Sequence, residues 1–334
     1  MADSSQIRCR AWCRVDLAGG TLDIWPLGVL HAGSRTVNLA ISIPVQVSIT
    51  ATADRYEVVQ DGTLVQASTP QELCNQSGSA LVGMVCAELS LPSIRVSIES
   101  GSPRGGGLGA SSALTVALLC AARKFLDTPM PGPDETARLA RDIEARMMGL
   151  PTGVQDHYPA LLGGALEISY QLGSDRVRKL SVNLEELGAH LLVAYTGRSH
   201  FSASNNWQII RRRLEGDSES VELFEGISSI AARIVPALEA GDWETTGDLV
   251  GQEWRLRSRL AAGISTPTIE ALLEGATKLG AWGGKACGAG GGGCVVLFCP
   301  SEKKDEIARE VERLGGEILP AHPVSEPVQV EGGR

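Results

Sequence analysis

The 334-residue chain carries 39 acidic against 30 basic side chains, a formal net charge of −9, so it has no broad basic surface for nucleic acid or an anionic membrane. Its length allows a large core divided into two domains. Eight cysteines form no CxxC pair and no zinc-like Cys/His spacing, the start MADSSQIRCR has no apolar signal core, and Ala113 to Ala122 is too short to span a bilayer, which together point to a cytoplasmic protein with reduced core thiols.

In chain order, apolar alternation predicts strands at Arg8 to Leu17, Val37 to Ala51, Tyr56 to Val59 and Ile94 to Glu99. Helices are expected at Ser111 to Leu126 and at Glu135 to Met148, the second opened by Pro133 and Asp134 and closed by Gly149 and Pro151. Leu161 to Tyr170, Val177 to Val182 and Leu191 to Tyr195 return to strand. Helices follow at Ser202 to Leu214, Val221 to Ala240, Thr245 to Leu260 and Thr268 to Leu279, then strand Cys294 to Phe298, helix Glu302 to Leu314 and a closing strand at Glu317 to Leu319. Strands and helices mixed without regular alternation indicate α+β. No solenoid repeat or coiled-coil heptad interrupts the pattern.

The richest stretch is PRGGGLGASSALTVALLCAA, Pro103 to Ala122. Strand, glycine loop and helix follow one another, and the unpaired amides at a helix start favour phosphate oxygens. Gly105, Gly106, Gly107 and Gly109 let the backbone approach an anion. A Walker A loop is excluded because Ala110 stands where its lysine belongs. A dinucleotide fingerprint matches Gly105, Gly107 and Ala110, but Asp127 lies in a turn-rich segment instead of on a second strand. A flexible hairpin before a buried helix with Ser111 as N-cap stays open on these residues alone.

The loop also resembles the phosphate loop of the GHMP small-molecule kinases, with Pro103, Gly107, Leu108, Gly109, Ser111 and Ala113 matching and Ala110 and Ser112 departing conservatively. Cys13 to Leu27, CRVDLAGGTLDIWPL, is similar to the family's first motif, and Lys285 to Phe298, KACGAGGGGCVVLF, to its third. The sugar and sugar-phosphate branch, with heptose 7-phosphate kinases and fucokinases, is resembled most through the AGG turn before Asp23, GLPTGVQDHY at Gly149 to Tyr158 and YTGRSHFSAS at Tyr195 to Ser204. The resemblance implies a two-domain fold: residues 1–185 like domain 2 of ribosomal protein S5 and residues 186–334 ferredoxin-like, with the active site between them.

It also implies ATP and Mg²⁺ as cofactors, with Pro103, Gly105, Gly106, Gly107, Leu108, Gly109, Ala110, Ser111 and Ser112 at the nucleotide and Ser111 and Glu144 at the metal. Compensation of Glu144 by Arg141 or Arg146 on the surface is the plainer alternative. Asp156 corresponds to the catalytic base and Arg14 to the basic residue beside it; an Asx turn and a strand salt bridge are the ordinary readings of the two. Asp23 is assigned to acceptor hydroxyls, and Asp16 and His157 receive no catalytic role. Gly20 and Thr21 replace the galactokinase Glu-His pair, which counts against galactose. Thr196, Gly197 and Arg198 could present a small anion site, or simply a surface loop, and Gly290 and Gly291 permit close backbone approach to the centre. The expected partner is a sugar or sugar phosphate, with no nucleic acid and no membrane, the chain being a monomer or homodimer. A mevalonate-type kinase and a catalytically silent sugar and nucleotide sensor stay open as alternatives.

Overall fold

The computed structural model describes residues 6–199 and 203–333. Among them are strands β1 (Ile7–Ala18), β2 (Arg35–Ala51), β3 (Tyr56–Gln60), β4 (Thr63–Ala67), β5 (Ile94–Ser100), β6 (Ala165–Ser169), β7 (Arg176–Lys179), β8 (Leu191–Tyr195), β9 (Gly283–Ala286), β10 (Cys294–Phe298), β11 (Glu317–Ile318) and β12 (Gln329–Glu331). They form two sheets. The first runs β12-β1-β2-β5-β3-β4, with β6 and then β7 attached to the other half of β2. That strand is 17 residues long, so Val45–Ala51 pairs with β5 while Arg35–Leu39 pairs with β6.

Alternation in β1 changes along its length. Arg8 and Arg10 are exposed between buried Ile7, Cys9 and Ala11, as expected when one face meets solvent. From Cys13 onward every residue is buried, and register shifts occur at Trp12/Cys13 and Asp16/Ala18. The face that is open at Arg8 and Arg10 is therefore covered at Arg14 and Asp16. Helix Ala110–Phe125 packs on β1 and β2, and so does helix Ser218–Ala240 from the second half of the chain.

The second sheet runs β11-β8-β10-β9, all antiparallel. Helices Ser218–Ala240, Trp243–Arg257 and Pro267–Lys278 lie between β8 and β9 in sequence, and helix Lys304–Arg313 between β10 and β11. This is a ferredoxin-like β-α-β-β-α-β arrangement. Asp217, Asp242 and Thr266 cap the first three helices by accepting from Ser220, Thr245 and Ile269 amides, which explains their starts.

The elements depart from expectation where tertiary contacts outweigh local pattern. The strand expected from Leu161 begins only at Ala165, because His157–Leu162 forms a short helix ended by Gly163 at φ 63°. Apolar Tyr158, Ala160 and Leu161 are buried either way, so burial pattern alone could not choose. A division after residue 185 places the last residues in the second half, yet Val324 bonds Ala40 and Gly164, and β12 pairs with β1 in the first sheet. The expected helix start at Ser202 lies outside the described residues.

A buried ionic bridge joins the two halves. Lys285 on β9 is fully buried, with Nζ 2.8 Å from Asp16 Oδ2 on β1 and 2.9 Å from Glu253 Oε2 on helix Trp243–Arg257. Burial pushes the Asp16 carboxyl up, but Lys285, Arg14 and Arg257 outweigh it and hold the group at about 2. Removing one partner of such a pair strands a buried charge, so Lys285→Met should lose about 3–5 kcal/mol in urea unfolding. A loss under about 1 kcal/mol would mean that the bridge is not a main tie between the halves.

Candidate active site between the two sheets

The glycine loop from Pro103 to Gly109 is held by its carbonyls. Arg14 Nη1 donates to the Gly107 carbonyl at 2.6 Å, the Arg14 amide to the Leu108 carbonyl, and the Cys294 amide to the Gly106 carbonyl. Gly107 has φ 71°, and a Cβ built on it would stand 2.6 Å from the Cys287 carbonyl oxygen. Both backbone and space therefore demand glycine there. Helix Ala110–Phe125 starts directly after Gly109, with no acidic side chain in its first turn and no side-chain cap. Ser111 is thus not the N-cap. The first-turn amides of this helix have no intrahelical acceptor and sit at the positive end of its dipole.

Asp156 stands at the other side of that helix start. Arg14 holds Asp156 Oδ1 with Nε at 2.7 Å and Nη2 at 2.6 Å, while a Cβ at Gly109 would come within 3.2 Å of Oδ2. Burial opposes the charge on Arg14, and Asp156 and Asp16 overcome that opposition. One arginine consequently ties the loop carbonyl, the candidate base and the start of the interdomain bridge together. The Asp156 side chain is 23% exposed, open enough to reach a ligand.

Asp23 lies in the same cleft. A Cβ on Gly153 would fall 1.5 Å from Asp23 Oδ2, so glycine in the PTGVQD turn makes room for the carboxylate. Oδ2 accepts from the Gln155 amide at 3.2 Å, and Asn38 fixes the Gln155 carbonyl at 2.7 Å. Oδ1 is buried and has no hydrogen-bond partner. Burial pushes the Asp23 carboxyl up and the nearby Asp156 adds to it, the Gln155 amide offsetting part, to about 6. The orphan oxygen is an acceptor poised for a hydroxyl donor.

Glu144, on helix Pro133–Met148, is buried at the cleft wall. Ser112 Oγ donates to it at 3.0 Å and Thr115 Oγ1 at 2.8 Å, and His157 Nε2 lies 3.4 Å away. Burial raises its pKa, but His157, Thr115 and Ser112 bring it below the ordinary value. The surface compensation weighed for Glu144 is not found: Arg141 pairs with Asp142 and Arg146 with Glu88. The serine on Glu144 is Ser112, whereas Ser111 is exposed at the cleft mouth. Among the described residues no three His, Cys, Asp or Glu side chains converge on a metal position. One carboxylate and a hydroxyl still suit Mg²⁺, which commonly takes few protein ligands and completes its shell with phosphate and water.

These groups line one cleft of about 830 Å³. It contains Arg14, Asp23, Glu144, Asp156 and the whole stretch Pro103 to Ser112. Gly290 lines it too; Gly291, Thr196, Gly197 and Arg198 do not. Thr196 and Arg198 instead brace the glycine turn, the Thr196 amide donating to the Gly293 carbonyl and the Gly293 amide to the Arg198 carbonyl. Residues 200–202 of the Tyr195 to Ser204 segment fall outside the described residues. Asp16, Glu253, Arg257 and Lys285 had no role in the sequence reading. Only the KACGAGGGG stretch hinted that its lysine lies near the centre.

Residues 77–164 match the family model for the GHMP kinases N terminal domain and residues 234–317 that for GHMP kinases C terminal. The D-glycero-alpha-D-manno-heptose 7-phosphate kinase of Campylobacter jejuni is 29% identical over 219 residues, 65% of this chain and 64% of that protein. The mevalonate kinase of Pyrococcus abyssi is 30% identical over 245 residues, 71% of this chain and 69% of that protein. A solved structure of a putative sugar kinase from Campylobacter jejuni superposes with TM-score 0.79 at 23% identity, covering 99% of this chain and 100% of that one. The chain belongs to the GHMP kinase family. Its match spans just under two thirds of the heptose kinase's length.

The raised Asp23 group has a stability consequence. Unfolded, its carboxyl titrates near 3.8; folded, near 6. The fold therefore disfavours the charged form, and the penalty is absent below pH 4, grows between pH 4 and 6, and is complete above. Asp23→Asn should be more stable than the parent by about 1–3 kcal/mol at pH 8 and equal to it at pH 4. Equal stability at both pH values in urea titrations would show that Asp23 is not strained by burial.

Proposed function

We propose that the protein transfers the terminal phosphoryl group of ATP to a hydroxyl of a sugar or sugar phosphate, by direct in-line transfer without a covalent enzyme intermediate. The observation that carries this reading is Asp156, held by Arg14 beside the start of the glycine-loop helix and facing the cleft that Asp23 also lines. The first-turn amides after Gly109 would receive phosphate oxygens. Asp156 would orient the acceptor hydroxyl and take its proton, and Arg14 would hold that carboxylate in place and offset charge at the transferred group. Glu144 and Ser111 would hold Mg²⁺, which supplies charge neutralisation at the phosphates when bound. Asp23 Oδ1 would accept from an acceptor hydroxyl.

A heptose 7-phosphate-like acceptor is favoured by the heptose kinase among the relatives and by an orphan carboxylate oxygen suited to hydroxyl donors. Mevalonate is the second reading, supported by the similarity to the Pyrococcus abyssi enzyme. ADP release measured over heptose 7-phosphate, fucose, other aldoses, inositol and mevalonate decides between them. Release no faster than without acceptor, for all of them, would leave a silent sensor.

With the active acceptor in hand, Asp156→Asn should lower kcat by about 10²–10⁴-fold with a smaller change in KM, because the amide keeps size but takes no proton. A drop below about tenfold removes the base role. The Ser111→Ala, Glu144→Gln pair should require much higher Mg²⁺ for half-maximal rate. An unchanged Mg²⁺ dependence shows that neither holds the ion.

A further inference from the structure

The cleft contains a cation that neither the glycine loop nor the Arg14–Asp156 pair uses. Arg257, the last residue of helix Trp243–Arg257, is 2% exposed and lines the cleft. Its Nη2 donates to the Gly288 carbonyl at 2.8 Å, and Nη1 lies 3.7 Å from Glu253 Oε1. Nη1 is buried and makes no hydrogen bond. An unmade buried donor is costly, so a ligand atom that accepts from it gains affinity. Asp23 Oδ1 is the matching orphan acceptor in the same cleft, and the Arg257 charge is felt at Asp23. Gly20 admits the guanidinium: a Cβ there would stand 2.7 Å from Arg257 Nη1 and 3.0 Å from Asp16 Oδ2.

Charge selects the kind of group that Arg257 can hold. The cluster contains the carboxylates of Asp16, Asp23, Asp156 and Glu253 against the cations Arg14, Arg257 and Lys285. Carboxylates outnumber cations, so no positive charge is left over for a second phosphate or a carboxylate on the acceptor. A hydroxyl oxygen can accept from Nη1 without adding charge, and its neighbour can donate to Asp23. We propose that Arg257 and Asp23 clamp two hydroxyls of one diol on the acceptor, making Arg257 a specificity-determining residue that selects a polyol over a hydroxy acid. The inference rests on the acceptor site assigned above. Any phosphate on the acceptor then points away from Arg257, toward the cleft mouth.

The test is calorimetric titration of the full chain, without nucleotide, with heptose 7-phosphate, mannose, fucose, the monodeoxy derivatives of these sugars, and mevalonate. Removing one particular hydroxyl should weaken binding to the parent about tenfold, and that penalty should disappear in Arg257→Gln. Gly20→Ala should act the same way by displacing the guanidinium, and it keeps the test readable if Arg257→Gln fails to fold. An equal deoxy penalty in parent and variants overturns the clamp, as does selective weakening of mevalonate or a parent that binds no diol. ADP release with the same compounds reads the kinase separately. Binding as expected without turnover would overturn phosphoryl transfer and leave the clamp standing.

Discussion

The structure depends most on the Asp16 carboxylate, a buried anion on a first-sheet strand that gathers groups from both halves. Lys285 Nζ approaches its Oδ2, the Gly288 amide donates to its Oδ1 at 2.8 Å, and Arg14 lies 3.9 Å from Oδ1. An isolated carboxylate so deeply buried would be expensive to ionise. Here the cations outweigh the burial penalty, so the charge that costs desolvation also determines where β9 and its glycine turn meet β1. Replacing the cluster by apolar residues could preserve stability, but it would lose the directional bonds that place Arg14 and Gly288 on the cleft wall.

Arg14 carries that order from the bridge to the chemistry. Its backbone amide and side chain hold consecutive loop carbonyls, and the rest of its guanidinium clasps Asp156. With its carbonyls bound behind it, the loop can turn amides toward the cleft, the polarity an anion requires. Asp23 and Glu144 show two solutions to a buried carboxylate. Glu144 is surrounded by hydroxyl donors and a histidine, which favour its charge; Asp23 has one amide and a neighbouring carboxylate, so its charge is disfavoured and one oxygen stays unsatisfied. Glu144 thus suits holding a cation, and Asp23 suits holding a neutral donor.

Local chemistry determined much of this from the chain alone. The glycine loop before an apolar helix and the strands Leu191–Tyr195 and Cys294–Phe298 were readable because turns, caps and alternation act over a few residues, whereas Asp156 and Asp23 stood out only through family resemblance. The Arg14–Asp156 contact was expected from family resemblance, since nothing in a strand arginine and a loop aspartate 142 positions apart announces their meeting. What only the tertiary structure decided are the contacts made at long range: the Asp16–Lys285–Glu253 bridge, the return of β12 to the first sheet, the pairing of Glu144 with Ser112 and His157, and the unpaired Nη1 of Arg257. A charged residue in a sequence looks the same whether water or another chain segment solvates it. The difference lies in burial and partner geometry, which exist only once distant segments have packed together.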